Sequence, residues 1–239
     1  MLRPRPKGGR DGQLETLDDL SGAVHYNRWI YGMMEPYLGR KVLEVGCGIG
    51  NLTELLSEGR EVLGVDLQER YLKLARERLW DRRNVHFQKV NLEKKLPSFG
   101  SFRPDTIVSS NVLEHIRDDE GFLHECHRLL PRGGRLLSFV PAQPFLYGSM
   151  DRHYGHYRRY TRIELDQKMR ANGFEVAQSR YLNLLGVFGW WWNGKVLQKK
   201  IVPKGQILLY DRILRWVVLV EKWLPKPIGL SLFCAGVKQ

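Results

Sequence analysis

Along residues 41–140, segments with the hydrophobic pattern of strands alternate with segments that have the pattern of helices. Five short runs rich in branched apolar residues have the length of buried strands, and three segments between them carry apolar residues three and four positions apart, the spacing of an amphipathic helix. Strands alternating with helices predict parallel strands joined by right-handed crossovers, that is, a doubly wound α/β sheet. The strand runs are KVLEVG, EVLGVD, NVHFQKV, PDTIVSS and GRLLSFV.

The pattern continues beyond residue 160. Thr161 and Glu164 have the spacing of a capping box at the start of a helix, and Gly173 can end that helix in the left-handed conformation. FEVAQSRYL then predicts a sixth strand, and the terminal GLSLFCAGVKQ a seventh. Ahead of the sheet, AVHYNRWIYGMMEPYL predicts a helix across the ligand side of the sheet, with Tyr26 and Trp29 turned inward.

The segment 183–228, between the last two strands, is rich in tryptophan and predicts a helical insertion. Its apolar stretch 181–192 is about twelve residues long, against the ~20 that a transmembrane helix needs. Residues 206–224 predict an amphipathic helix whose polar side carries Asp211 and Arg212. Its apolar side would carry Leu209, Ile213, Val217, Val220 and Leu224. Three uses of the insertion remain open: packing on the sheet or a second subunit, a lid over an oily substrate, and an interfacial membrane contact.

Composition narrows the partners. Lysine and arginine outnumber acids 38 to 26, a formal net charge of +12, which suits nucleic acid, a phospholipid surface or a phosphorylated substrate. The three cysteines are far apart and lack C-x-x-C spacing, which indicates reduced thiols and a cytoplasmic protein. The basic start MLRPRPKGGRDG has no apolar segment after it, so we expect a flexible arm over 1–24 rather than a signal peptide.

A glycine-rich turn follows the first strand. VLEVGCGIGNLT, residues 42–53, carries Gly46, Gly48 and Gly50 at alternate positions, where backbone freedom lets a ligand touch the main chain. Asp66 ends the second strand twenty positions after Gly46, the spacing at which a carboxylate meets the hydroxyls of an adenosine ribose. Because the glycines run G-x-G-x-G rather than G-x-G-x-x-G, the turn favours an adenosine cofactor other than NAD.

Four separated segments resemble, in order and spacing, the motifs of the class I S-adenosylmethionine-dependent methyltransferases. They are LEVGCGIGNLT, GVDLQERYLKLAR, PDTIVSSNVLEHIRDD and LLPRGGRLLSFVPA. The resemblance covers about 25–182 and 229–239, and it implies S-adenosylmethionine as cofactor and a seven-stranded Rossmann-like sheet whose last strand, 231–238, is antiparallel. Carried over by position, it implies a set of cofactor-binding residues. These are Glu44, Gly46, Gly48, Gly50, Asp66, Leu67, Asn91, Leu92 and Asn111. Asn91 departs from the family, which usually has an acid there.

Candidate catalytic groups lie after the fourth and fifth strands. Methyl transfer requires an aligned acceptor, and a hydroxyl acceptor also requires a base. His115 follows the fourth strand, and YGSMDRHYGHYRRYT, 147–161, follows the fifth and resembles a signature of a bacterial methyltransferase subgroup linked to glycosyltransferase or lipid pathways. The catalytic candidates are His115, His153, His156 and Tyr157, and the substrate-binding candidates are Tyr26, Trp29, Tyr154, Arg158 and Arg159.

Each of these side chains also has a structural alternative. His156 could instead be bonded to Asp151, and the two arginines could solvate a helix start, although a guanidinium fork suits a substrate phosphate or carboxylate. His124 and His127 flank a cysteine on one helix but lack a fourth ligand, so no metal site is predicted.

We therefore expect an enzyme that transfers a methyl group to a small, hydrophobic or lipid-like acceptor, most readily at oxygen. It would act in the cytoplasm or at the inner face of the membrane, on an anionic lipid surface, and as a monomer or a homo-oligomer. The basic charge leaves RNA methylation or RNA binding as the alternative. Against that alternative, SSNVLE stands where a nucleic-acid methyltransferase would carry an N-P-P-Y-type tetrapeptide, and no appended RNA-binding domain is recognisable.

Overall fold

A computed structural model describes residues 22–202, 204–221 and 227–239. Most of the predicted basic arm, residues 1–21, lies outside the described residues, as do 222–226 at the end of the predicted insertion. Within the described part, no helix is both long enough and apolar enough to cross a bilayer. Cys47, Cys126 and Cys234 are buried free thiols.

Seven strands form one sheet in the order β3-β2-β1-β4-β5-β7-β6. The strands are β1 (Lys41–Val45), β2 (Glu61–Asp66), β3 (Val85–Lys89), β4 (Thr106–Ser110), β5 (Arg135–Pro141), β6 (Phe174–Leu182) and β7 (Ser231–Lys238). β1 to β5 pair in parallel, and β7 inserts antiparallel between β5 and β6. The predicted doubly wound sheet and its antiparallel last strand are confirmed.

Eight α-helices are described. They are α1 (Val24–Met34), α2 (Asn51–Leu56), α3 (Glu69–Arg78), α4 (Asp119–Leu129), α5 (Ser149–Tyr154), α6 (Arg162–Ala171), α7 (Leu184–Trp191) and α8 (Lys204–Glu221). α4 begins at Asp119, where the Asp118 carboxylate caps it by accepting from the amide of Gly121 at 2.9 Å. Leu113–His115 form a separate 3₁₀ turn. The segment 147–161, which carries most of the catalytic candidates, contains α5, and this helix ends at Gly155 in the left-handed conformation.

The sheet is covered on both faces. Successive residues of β1, Val42 and Leu43, are fully buried in different hydrophobic clusters, so each side of the strand has its own core. α6 begins as predicted, with the hydroxyl of Thr161 accepting from the amide of Glu164 at 3.2 Å. Its end at Gly173 has φ +83°, where an added Cβ would lie 2.6 Å from the ring of His127.

The predicted orientation of α8 is only partly right: Val217 is buried and Arg212 is exposed as expected, but other positions differ. Leu209 and Ile213, expected on its packed side, are 61% and 44% exposed, whereas Asp211, expected in water, is 6% exposed. The Asp211 carboxylate accepts from the backbone amide of Tyr26 at 2.8 Å, at the N-terminal end of α1. Because the first amides of a helix lack partners within it, a carboxylate is stabilising at that end, and this contact turns α8.

Candidate active site

A cavity of about 560 Å³ opens at the carboxyl ends of the central strands, where open α/β sheets bind ligands. Its floor comes from the ends of β1, β2 and β4, and its roof from α1, α7 and α8. Among the predicted site residues, the following line it: Tyr26, Gly46, Gly48, Asp66, Leu67, Asn91, Leu92, Asn111, His115, Tyr154 and His156. Residues that are up to 130 positions apart in sequence, Tyr26 and His156, therefore share one volume.

The glycine turn fits close approach of a ligand to the main chain. Gly46, Gly48 and Gly50 have φ values of +70°, +56° and +84°, all in the left-handed region that favours glycine. An added Cβ on Gly46 would lie 2.3 Å from a methyl carbon of Val112. Gly50 is not among the lining residues, and it packs against Leu79 instead. The turn therefore has two glycines at the cavity and a third for packing.

Asp66 is fixed at the edge of the cavity with its carboxylate held from behind. One carboxylate oxygen accepts from the amide of Gly48 at 3.0 Å and the other from the amide of Gln68 at 2.8 Å. Burial raises the pKa of Asp66, although these amides act in the opposite direction. Each oxygen retains a second lone pair, so the group can still accept from the two hydroxyls of a ribose.

Glu44 lies behind the turn rather than in the cavity. It is 3% exposed, is not among the lining residues, and accepts a hydrogen bond from the hydroxyl of Thr53. Burial raises its pKa to about 8. Glu44 therefore supports the first turn of α2. The family resemblance had instead implied that Glu44 binds the cofactor.

Leu67, Asn91 and Leu92 form the end of the cavity beyond Asp66. The side-chain oxygen of Asn91 accepts from the amide of Glu93 at 3.0 Å, which closes a local turn and fixes the orientation of the side chain. Asn111, at the end of β4, has φ +52°, and its amide donates to the carbonyl of Phe139 at 2.7 Å. This part of the wall is apolar with a few polar groups, as in most small-molecule sites.

At the opposite end, a buried network holds His156. The Asp151 carboxylate, fully buried, accepts from His156 Nδ1 at 2.9 Å and from Arg159 Nε at 2.7 Å on one oxygen. The other oxygen accepts from the amide of Gly148 at 2.9 Å and from Trp190 Nε1 at 3.3 Å. Four donors on one carboxylate explain why GHYRRYT and the preceding Asp151 occur together.

This network sets the protonation of His156. Burial acts to raise the pKa of Asp151, but its bonds to His156 and Arg159 hold that pKa below its ordinary value, so the carboxylate is ionised. Burial lowers the pKa of His156, so the ring is neutral although Asp151 acts to raise that pKa. Nδ1 therefore carries the proton donated to Asp151, and Nε2 is an unprotonated acceptor at the cavity.

Glu114 was missed by sequence reasoning. It lies in the 3₁₀ turn after β4, is fully buried and lines the cavity, and neither of its carboxylate oxygens has a hydrogen-bond partner among the described residues. Burial raises its pKa to about 8. Its Oε1 lies 4.0 Å from His156 Nε2. No local sequence pattern marks Glu114, because its neighbour in space, His156, is 42 positions away.

Other lining groups surround this pair. The ring of His115 packs edge-on against His156 with centroids 4.7 Å apart. One ligand atom from each of Glu114, His115 and His156 lies within 4.8 Å of the others, a spacing that a metal ion could also bridge. Tyr26, on α1, has its pKa raised to about 12 by burial and the nearby Glu114 charge, so its phenol remains protonated.

Several predicted residues lie elsewhere. Arg158 pairs with Asp119 at 2.7 Å, and the Arg159 guanidinium stacks on Trp190 at 4.7 Å. The other two residues of this group are Tyr157, whose ring lies under Arg117, and Trp29, which packs on the core beneath α1. None of these four side chains is among the lining residues, and neither is His153. The predicted arginine fork for a substrate anion is therefore turned inward and occupied by protein carboxylates.

The cavity contrasts in charge with the chain. Its described lining includes Asp66, Glu93, Glu114 and Asp211 and no lysine or arginine, although the chain carries +12. Such a wall suits a cationic or neutral ligand and opposes a pyrophosphate, which needs donors or positive charge. A sulfonium nucleoside fits the donors and charges present better than a dinucleotide does.

Comparison with known proteins agrees with this geometry. Residues 43–136 match a family model described as a methyltransferase domain. A ubiquinone biosynthesis O-methyltransferase of Thiobacillus denitrificans is 36% identical over 110 residues, 45% of this chain and 46% of that protein. One of the same name from Paracidovorax citrulli is 30% identical over 170 residues, 64% of this chain and 70% of that protein. The chain belongs to the class I S-adenosylmethionine-dependent methyltransferases.

Solved structures show the same methyltransferase fold. An S-adenosylmethionine-dependent methyltransferase from Mesorhizobium loti matches with a TM-score of 0.61 at 17% identity, covering 88% of this chain and 96% of that one. The family's cofactor is S-adenosylmethionine, and the cradle at Gly46 and the buried Asp66 fit it. This methyltransferase chain spans about half the length of several curated relatives that it matches, so the relatives leave its acceptor open.

Proposed function

We propose that this methyltransferase transfers a methyl group from S-adenosylmethionine to a hydroxyl of an uncharged, hydrophobic acceptor. Gly46 and Gly48 would border the cofactor, and Asp66 would hold its ribose. Glu114 and His156 would hold the acceptor hydroxyl. The names of the curated relatives, which are O-methyltransferases, support oxygen as the target atom.

One observation carries the proposal: the gap between Glu114 and His156. At 4.0 Å, their facing atoms are too far apart to bond to each other, yet an oxygen between them can lie within about 2.8 Å of both. Below its pKa of about 8 the buried Glu114 carboxyl is protonated and can donate, whereas His156 Nε2 accepts. A hydroxyl of the acceptor molecule between them would accept from Glu114 and donate to His156, and so satisfy both groups.

When bound, S-adenosylmethionine supplies an electrophilic methyl group, and transfer forms a carbon–oxygen bond while the carbon–sulfur bond breaks with its electron pair left on sulfur. His156 Nε2 accepts the hydroxyl proton as that bond forms. The imidazolium that results is stabilised by the ionised Asp151 on Nδ1. Trp190 and Tyr26 also line the cavity and, with the acceptor bound, would help to exclude water from this pair.

The RNA alternative is less well supported at this site. A nucleic-acid substrate would bring phosphates to the cavity mouth, where lysine or arginine would be expected. The described lining instead carries four carboxyl groups. The basic charge of the chain therefore lies outside the catalytic cavity and needs a different explanation.

A labelled-methyl assay tests the proposal. Purified protein and S-adenosylmethionine carrying a labelled methyl group would be incubated with either a total lipid extract or total RNA of bacterial cells. We expect label in the organic phase, lost with His156→Gln but retained with His124→Gln as a control on a distant helix. Label in RNA would contradict the proposal. Loss of activity on chelation would instead assign Glu114, His115 and His156 to a metal ion.

A further inference from the structure

We propose that the outer side of the lid docks on an anionic phospholipid surface. The lid is defined here as α7 with the π-helical turn Trp192–Val196 that continues it and the segment up to residue 202. The inference deepens the proposed function, on which it rests for the lipid-like nature of the acceptor, by naming the surface from which that acceptor enters.

The lid helix has two sides with different tasks. Gly186, Gly189, Trp190 and Asn193 line the cavity, and their spacing of three and four places them on one helical stripe. A second stripe is offset from the first and points to solvent. It consists of Leu185, Phe188, Trp192 and Val196, which are 56%, 69%, 44% and 45% exposed. The first stripe faces the cavity, and the second is left exposed by the residues that the structure describes.

The outer side of the lid also carries an aromatic cluster, which shares Phe188 and Trp192 with the outer stripe and adds Trp191. The rings of Phe188, Trp191 and Trp192 lie with centroids 6.2–6.5 Å apart, and each of the three side chains is at least 40% exposed. A contiguous exposed apolar patch of this kind marks an interaction surface more often than a solvated one. Tryptophan in particular suits the boundary between headgroups and acyl chains, since one end of its ring is polar.

The charge of the lid favours an anionic lipid surface over a second copy of this chain as its partner. Residues 183–202 contain no aspartate or glutamate, and Lys195, Lys199 and Lys200 follow the aromatic cluster directly. Lys195 and Lys200 are exposed and Lys199 is half-buried. Because a symmetric interface uses one patch on both subunits, pairing with a second copy would bring the lysines of both copies into one interface, and residues 183–202 offer no acid to pair with them. An anionic lipid surface offers the complementary charge together with an apolar phase.

The geometry also relates the surface to the cavity. A helix is roughly 10 Å across and turns about 100° per residue, so the two stripes of α7 are centred about 100° apart, and the outer stripe lies beside the cavity stripe on the same helix. Trp190 anchors the inner stripe through Asp151 at 3.3 Å, next to the catalytic histidine. An apolar acceptor could pass from the bilayer over the edge of the lid without crossing water.

Vesicle binding tests this inference on the full chain in the absence of acceptor. Flotation would use phosphatidylcholine vesicles with and without phosphatidylglycerol. Replacing Phe188, Trp191 and Trp192 together by serine should lower the partition coefficient at least about tenfold on anionic vesicles. Replacing Lys195, Lys199 and Lys200 by glutamine should lower it roughly a hundredfold, since each lysine near such a surface contributes about a factor of five.

Matched controls lie elsewhere on the chain. Trp80→Ser removes the most exposed tryptophan of the described residues, 83% exposed after α3, and should leave vesicle binding unchanged. Replacing the exposed cations Arg83, Lys89 and Arg132 by glutamine alters net charge by the same amount as the lysine variant. If both lysine and control sets weaken binding equally, the effect is one of net charge and the lid surface is rejected.

Two further outcomes separate this inference from the proposed function. Wild-type protein that remains with the soluble fraction, or that forms a dimer lost in the aromatic variant, would overturn the lid surface while calorimetry still shows cofactor binding. Protein that floats with vesicles but does not bind S-adenosylmethionine would overturn the proposed function and leave the lid surface standing. Calorimetry would also measure the cofactor affinity of each variant. Because the replaced side chains face solvent, this affinity should not change.

Discussion

The two ends of the cavity are built in different ways. The cofactor end consists largely of main chain, with glycines in left-handed conformation and a carboxylate fixed by two amides. The acceptor end consists of side chains, of which His156, Arg159 and Trp190 are joined through the single carboxylate of Asp151. A main-chain site is specified by local sequence and tolerates few ligands, whereas a side-chain network can be replaced piecewise. The comparison explains how one fold keeps its cofactor and varies its acceptor.

The largest effect should come from the acceptor end. His156→Gln removes the proposed base but can still donate to Asp151, so kcat should fall about 10²–10⁴-fold while the cofactor Kd changes little. Steady-state kinetics and calorimetry measure the two quantities separately. If His156→Gln had a normal kcat but bound the cofactor more weakly, His156 would belong to the cofactor end, and the proposed division between the two ends would be wrong.

Next in size, Asp66→Ala should weaken the cofactor about a hundredfold, because it removes charge-assisted hydrogen bonds to two hydroxyls. Calorimetric titration with S-adenosylhomocysteine measures this without an acceptor. Glu93→Ala, at the same end but without a proposed ribose contact, is the control. An unchanged Kd for the Asp66 variant would remove the ribose assignment.

A smaller effect is expected at Glu114. Glu114→Gln resembles the protonated carboxyl, so turnover should fall about tenfold above the Glu114 pKa of about 8 and change little well below it. As pH rises through the Glu114 pKa of about 8, the wild type gains a negative charge 4.0 Å from His156, which stabilises the imidazolium and raises the rate. A bound cationic cofactor moves that rise to lower pH.

The pH–rate profile checks this expectation. The rise should be present in the wild type and absent in the Gln variant, while the cofactor Kd at pH 6 stays the same in both. Identical profiles for the two proteins would place Glu114 outside the proton transfer.

The smallest effect on activity should come from Glu44, which supports the fold rather than the reaction. Its pKa is raised from 4.5 to about 8 in the folded chain, so the folded state holds a proton that the unfolded state has lost. Its contribution to stability is therefore complete below about pH 4.5 and is lost as pH rises toward 8.

Glu44→Gln should remove that loss, about 1 kcal/mol per pH unit at most, with kcat unchanged. Urea unfolding of wild type and variant at pH 5 and pH 8 measures it, and Glu58→Gln on the surface is the control. An equal loss of stability in all three proteins would show that Glu44 does not titrate in this range.

Local patterns placed much of the cofactor end at the cavity, although Glu44 and Gly50 do not line it. Strand periodicity placed β1 and β2, and the spacing of Gly46, Gly48 and Asp66 placed the cradle, because all of these depend on neighbours in sequence. The capping pair Thr161 and Glu164 likewise located the start of α6 within one turn. In each case the determining contacts lie only a few residues apart, or in adjacent parallel strands.

The acceptor end could not be obtained in this way. Arg158 and Arg159 look like solvent-facing cations in the sequence, and only the fold shows that Asp119 and Asp151 occupy them. Glu114 acquires its character from complete burial beside His156, which no local pattern encodes. The period of α8 gave a helix with an apolar side, but whether that side meets protein depends on what packs against it.

The contact of Asp211 with the first turn of α1 has a consequence for the order of assembly. It joins Tyr26 to a carboxylate 185 positions later, and so distant a contact closes only after the intervening chain has collapsed. We expect the nucleoside pocket to mature early during refolding, with its roof added last. Truncation within the final helix would then yield a protein that still recognises nucleoside but leaves its reaction chamber open to water.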